Sequence, residues 1–297
     1  MNNQSLFHRD SQSTNLDSAT SNAHKIDPKQ NFNHVQSKHK TYTQKPSNTT
    51  RNMTASYDSN QSINNNSRRK NILVVGATGG TGRELMTRLL AHSSTPHIHA
   101  FCRTKPNPNC DWVQACTSIQ MGDAKNANDL ANALTETKAS TVIVSIGAGE
   151  SVKKTDIRTA TSQALVRAIE QTPGLSNNIQ IVLVSSIGSG PSKIKLGMGI
   201  GKLVEYHLRY ILEDHTGQES ALLNHTDLAG RTWVVRATAL TDKKGSGRVV
   251  EFGDREKCPT GQIARGDVAS YIVEKLCDGS GGHVSGVVNI DTSNRKQ

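Results

Sequence analysis

Position 71 separates two textures along the chain. Before it, apolar residues are scattered with no period; after it they come in short runs separated by stretches with helical spacing. Ile72-Leu73-Val74-Val75 leads into a glycine cluster and then into Leu85, Met86, Leu89 and Leu90, which recur on one helix face, so the order is strand, turn, helix. Further apolar runs lie at 98–102, 118–121, 141–146, 179–184, 232–235 and 286–290. Helical patterns fall between most of them, at 127–134, 159–170, within 202–213, and at 268–277. Strands apolar on both faces belong inside a sheet covered on both sides, and alternation with helices makes that sheet parallel. The pattern therefore predicts a doubly wound α/β fold. No period of about 20 to 50 residues recurs, which excludes solenoids and propellers.

Composition turns the boundary at 71 into a division of the chain. Residues 1–70 hold 36 Asn, Gln, Ser or Thr and only 14 hydrophobic residues. That is too little apolar surface to offset the backbone entropy of folding, so a disordered polar tail is expected over 1–68 and one domain over 69–297. Of the 35 Lys and Arg, ten fall in the first 70 residues, with four of the 25 Asp and Glu, so +6 of the net +10 belongs to the tail and +4 to the rest. Apart from Arg68-Arg69-Lys70 the tail's cations are dispersed. A solvated linker accounts for them, and nucleic acid is not expected as a partner, although such a tail could engage a protein partner. No apolar run reaches about 18 residues, so membrane insertion is not expected. The start of the chain lacks the apolar segment of a secretory signal, and Asp10, Asp17 and Asp27 oppose a mitochondrial one, which makes the cytoplasm the expected location. Five cysteines without a C-x-x-C indicate neither a disulfide framework nor a metal site.

The segment richest in chemistry is Gly76-Ala77-Thr78-Gly79-Gly80-Thr81-Gly82, at the first strand-to-helix junction. There one glycine permits a tight turn, one lets backbone amides approach a pyrophosphate, and one allows close helix-to-strand packing, with the phosphates at the positive helix end. The position after a buried strand and before an amphipathic helix points to a dinucleotide. An NAD enzyme places an acid at the end of the second strand, about 20 residues on, whereas a 2′-phosphate calls for a cation. Residues 92–109 hold no acid, and Arg103 stands at that strand end with Lys105 beside it, so NADP is the expected cofactor.

The G-x-x-G-x-x-G spacing resembles the short-chain dehydrogenase/reductase superfamily of Rossmann enzymes, in its atypical and extended branches. On that resemblance Asp123, after the third strand, would contact adenine, and the loop at Ser145, Ile146 and Gly147 would pass beside the cofactor ribose. Ser185 and Ser186, after the fifth strand, would face the nicotinamide. The superfamily's usual Tyr-x-x-x-Lys, in which lysine lowers the tyrosine pKa for proton exchange, is absent here: neither Tyr206 nor Tyr210 has the lysine, and Tyr271 with Lys275 lies too far downstream to serve. Three segments, His215-x-x-x-Glu219, Thr232-x-Val234-Val235-Arg236 through Leu240-Thr241-Asp242, and Ile263-x-Arg265-x-Asp267-Val268-Ala269, resemble the NmrA-like NAD(P)H-binding group, which includes the flavin reductase/biliverdin reductase B type. His215 stands where that group has lysine and Ala237 where it has proline.

His215 could contact ribose, act as acid or base, or have no role. Glu219 could pair with Arg236 or lie on the surface, and Arg236 is expected near the cofactor or an anionic substrate. Asp267 is expected to cap the helix at 268–277. The segments 190–201 and 243–261 would form a lid. Two functions follow from the resemblance: an NADPH-dependent reductase that passes hydride to a small planar acceptor of flavin or quinone type, with Ser185, Ser186 or His215 orienting it, or a non-catalytic NADP-binding regulator.

Overall fold

A computed structural model describes residues 70–93, 97–149, 151–176, 178–277 and 284–294, all within one compact unit, Asn64–Gln297. The tail expected over 1–68 lies outside the described residues. In chain order the elements are β1 (Asn71–Val75), α1 (Gly80–Ala91), β2 (His97–Cys102), α2 (Asp111–Ala115), β3 (Ser118–Met121), α3 (Ala127–Thr137), β4 (Thr141–Val144), α4 (Ile157–Glu170), α5 (Pro173–Ser176), β5 (Gln180–Ser186), α6 (Ile200–His207), α7 (Arg209–Leu223), β6 (Thr232–Ala237), β7 (Ala239–Thr241), β8 (Val249–Phe252), β9 (Gln262–Ala264), α8 (Arg265–Cys277) and β10 (Gly286–Thr292).

Eight strands form one sheet in the order β3-β2-β1-β4-β5-β6-β10-β8. Every neighbouring pair is parallel except β8, which runs antiparallel to β10. β7 and β9 make a separate parallel pair. This is the doubly wound Rossmann sheet that the apolar runs predict. Its strand order reverses between β1 and β4, and the crevice outside the carboxyl ends of the strands at such a reversal is where ligands bind in this architecture.

Alternation along β1 divides the core into two layers. Ile72 and Val74 pack with Leu85, Met86 and Leu89 of α1 and with Val268 and Ile272 of α8. Leu73 and Val75 face the other way, toward Leu130 and Leu134 of α3, Leu165 of α4 and Ile181 of β5. Truncating one of these fully buried leucines to alanine costs about 2–5 kcal/mol, so the layers fix the strand ends that carry the site.

Three expectations are corrected. The helix expected within 202–213 is two helices, because Leu208 leaves helical geometry at φ −92°, ψ 6°, and α7 then continues to Leu223. Its far half escapes the apolar pattern because Asp214, His215, Gln218 and Glu219 are polar yet buried. The two expected lid segments are tied to one another: Lys193 N donates to Asp254 O at 3.1 Å and Cys258 N to Lys195 O at 3.0 Å, and 243–261 contains β8. Asp267 does not cap its own helix. It sits in the first turn of α8 and accepts from Ser246 N at 2.8 Å and Gly247 N at 2.9 Å, which anchors the loop before β8. Among the described residues no helix is long and apolar enough to cross a membrane.

Candidate dinucleotide site

After β1 the chain turns at Gly76, whose φ of +90° is accessible mainly to glycine. A Cβ there would strike the Ser145 carbonyl, and one at Gly82 would strike the Gly76 carbonyl. Side-chain-free positions thus let β1, the loop after β4 and the first turn of α1 close on one another. Gly79 N donates to Gly76 O at 3.0 Å and Arg83 N to Gly79 O at 2.9 Å. The amides of residues 80–82, in the first turn, have no helical acceptor and sit at the positive end of the helix dipole. α1 has no side-chain cap and no acid in that turn. This cradle of bare backbone and free amides fits a diphosphate.

A cleft of about 160 Å³, room for part of a dinucleotide, opens in front of the turn. Gly76, Thr78 and Gly79 line its floor, Arg103 and Asp123 the side beyond β2 and β3, and Ser145, Ile146 and Gly147 the side after β4. Asp123 Oδ1 accepts from Lys125 N at 3.0 Å, and Asp123 N donates to Asp129 Oδ2 at 2.8 Å, so the turn after β3 is held from α3. Cys102 also lines the cleft, but burial pushes its thiol up to about 11, so it is not a thiolate at neutral pH. Ala77, Gly80, Thr81 and Gly82 do not line it; Ala77, Thr81 and Gly82 are buried beneath the turn.

Gly80 lies under a residue that the sequence reading left without a role. A Cβ at Gly80 would fall 2.7 Å from Arg265 Nε, and the Arg265 guanidinium pairs with exposed Asp242 at 2.8 Å. Two of the three quoted segments therefore meet over the start of α1.

The remaining candidates form a buried polar block where β5, β6 and α7 meet. Ser185 is in register with Arg236, and its hydroxyl donates to Glu219 Oε1 at 2.5 Å. Arg236 donates to Glu219 through Nε at 3.0 Å and Nη2 at 2.7 Å, and through Nη1 to Asp254 at 3.1 Å. At 2% exposure, Arg236 is engaged by two carboxylates and is not directed into the cleft, contrary to the position expected for it near cofactor or substrate. Of the two alternatives for Glu219, the structure shows the buried partner.

Ser185 Oγ lies 3.4 Å from His215 Nδ1, and Gln218 Nε2 lies 2.9 Å from the same nitrogen. Burial, with the Arg158 charge adding to it, holds the His215 imidazole well below its usual value, so it is neutral at physiological pH. The Ser186 hydroxyl donates to Ile187 O at 3.1 Å. None of Ser185, Ser186 and His215 lines the cleft. Tyr271 belongs elsewhere: its hydroxyl donates to Glu251 of β8 at 2.6 Å, and Lys275 reaches the same carboxylate at 3.7 Å.

A glycine turn at the reversal of a doubly wound sheet, with free helix amides and a basic flank, defines a dinucleotide-binding protein of Rossmann type. A family model described as NAD(P)H-binding matches residues 76–278, and the chain belongs to that family. No curated protein matches the sequence. Among solved structures, the oxidoreductase ylbE of Lactococcus lactis is 21% identical with a TM-score of 0.54, over 75% of this chain and 90% of that one. ChuY of Escherichia coli O157:H7, described as an anaerobillin reductase, is 19% identical with a TM-score of 0.54, over 76% and 98%. A wide-type short-chain dehydrogenase/reductase of Veillonella parvula in complex with NADP is 17% identical with a TM-score of 0.55, over 76% and 95%. At these identities the likeness is one of fold.

Proposed function

We propose that the chain is an NADPH-dependent oxidoreductase that passes hydride to a small planar acceptor of flavin or quinone type, without a Tyr-x-x-x-Lys pair. The observation that carries the reading is the cleft, with the glycine turn on its floor and Arg103 on its flank where an NAD site would present an acid. When bound, the nicotinamide supplies the hydride. The chain's own residues bind and orient: the glycine turn on the cleft floor at Gly76, Thr78 and Gly79, with the positive end of α1 behind it, receives the diphosphate, the Arg103 fork matches a 2′-phosphate, Asp123 receives adenine, and the Ser145–Ile146–Gly147 backbone runs beside ribose. Planar redox acceptors need little proton transfer from protein, so the missing pair is no obstacle. Ser185, Ser186 and His215 would serve the acceptor from the polar block where β5, β6 and α7 meet, outside the cleft, with Arg236 acting on Ser185 through Glu219. The NADP-bound neighbour and the neighbour described as a reductase support this reading by fold. The test is to mix purified protein with NADPH and a panel of flavins and quinones and follow the near-ultraviolet absorbance of the reduced nicotinamide; consumption that needs both protein and acceptor is expected.

One observation favours a second reading, a non-catalytic NADP-binding regulator. The Ser185 hydroxyl is already committed to Glu219, and His215 is neutral and buried. Tight NADPH binding with no acceptor consumed would select the regulator.

A further inference from the structure

α4 begins without a cap of its own: Asp156 makes no side-chain bond to the first turn. The carboxylate that serves it comes from α7, where Asp214 accepts from Arg158 N at 3.2 Å and Thr159 N at 2.9 Å. Arg158, in that same turn, is only 8% exposed. A cation there sits at the positive end of a helix dipole and bears a desolvation cost as well, so the position calls for compensation. The protein supplies part of it. Nη1 donates to Asp214 Oδ2 at 3.2 Å, a carboxylate that already accepts two amides, while Nε is buried and has no partner.

The Nη2 edge lies against Gly147, where a Cβ would fall 3.3 Å from it, and Gly147 lines the cleft. One turn along α4, Thr161 also lines the cleft, and its buried hydroxyl likewise has no partner. His215, across on α7, supplies no charge here, because burial and Arg158 keep it neutral. The cleft runs across the reversal of strand order, with Arg103 and Asp123 on the β2–β3 side and Gly147 and Thr161 on the β4 side. If the adenosine end lies by Arg103, the β4 side receives the other half.

Resting on the dinucleotide reading above, we propose that Arg158 is a cofactor-binding residue, its unpartnered edge beside Gly147 donating to the oxygen-rich nicotinamide half of the dinucleotide, with the Thr161 hydroxyl as a second contact. Arg103 and Arg158 then hold opposite ends of one ligand. A guanidinium suits the position because it keeps its charge when buried and can serve Asp214 and the ligand from different nitrogens.

The experiment measures binding of two probes to the full chain: NADPH, and adenosine 2′,5′-bisphosphate, which keeps the adenosine end and lacks the nicotinamide half. Arg158→Met is expected to weaken NADPH about tenfold, equivalent to ~1.4 kcal/mol, and to leave the bisphosphate within about twofold. A folded Arg158→Met with unchanged NADPH affinity, or with both probes weakened equally, would overturn the proposal. If Arg158→Met does not fold, Arg158→Lys decides. It retains the charge without the fork, so NADPH weakened more than the bisphosphate supports the role, and an unchanged ratio overturns it. A wild-type chain that binds neither probe would instead overturn the dinucleotide reading itself.

Discussion

Arg103 and Arg236 show how strand position decides what a cation does. Arg103 follows β2, where the chain leaves the sheet, and lines the cleft; Arg236 lies inside β6 and is held by Glu219 and Asp254. Charge-assisted, bidentate contacts are strong and geometry-dependent, so Arg103→Ala should weaken NADPH about tenfold or more while changing NADH little. Equal loss of both in paired titrations would remove the 2′-phosphate assignment. His215 carries a different consequence. Its imidazole, and that of His99, which burial lowers first and His97 second, resist protonation in the fold. Below about pH 6.5 the unfolded chain takes up protons that the folded chain refuses, so stability is full above that pH and falls as pH drops below it. Urea unfolding should show this slope, and His215→Gln should flatten it; an identical slope in the variant would mean that His215 titrates normally.

At the scale of elements, the close approach of α4 and α7 depends on Gly217, since a Cβ there would strike Thr159. Behind α7 lies the buried Arg236–Glu219 pair. Arg236→Met leaves Glu219 without its charge partner and should cost about 3–5 kcal/mol in denaturant unfolding, because an uncompensated buried charge loses more than the pair gains. A loss under about 1 kcal/mol would mean that water reaches the Glu219 carboxylate once Arg236 is gone. The same elements mark where sequence reading succeeds and stops. β1, β4, β5 and β6 were legible because inner parallel strands carry runs of Val, Ile and Leu, and α1 because Leu85, Met86 and Leu89 share a face. The inner half of α7 was not, because Asp214, His215, Gln218 and Glu219 look like a solvated face until Arg158, Arg236 and Ser185 are brought against them. β8 is short and at the sheet edge, with no inner face to force alternation. The glycine turn was legible as a site because its backbone geometry requires glycine; Arg158 was not, although a cation in a helix's first turn was a signal against the dipole rule.

For the whole molecule, the sheet order places a backbone cradle for phosphates at the reversal and a cation on the β2 flank, both built from described residues of the domain expected over 69–297. Deleting residues 1–68 should therefore leave NADPH affinity within about twofold; a chain that no longer folds or binds would move the domain boundary into the tail. The NADP site proposed at the glycine turn makes a direct binding prediction. Calorimetric titration of the full chain with NADPH and with NADH tests it most directly. One saturable site per chain is expected, with NADPH bound about tenfold or more tighter than NADH. Absence of saturable NADPH binding, or NADH bound as tightly, would contradict it.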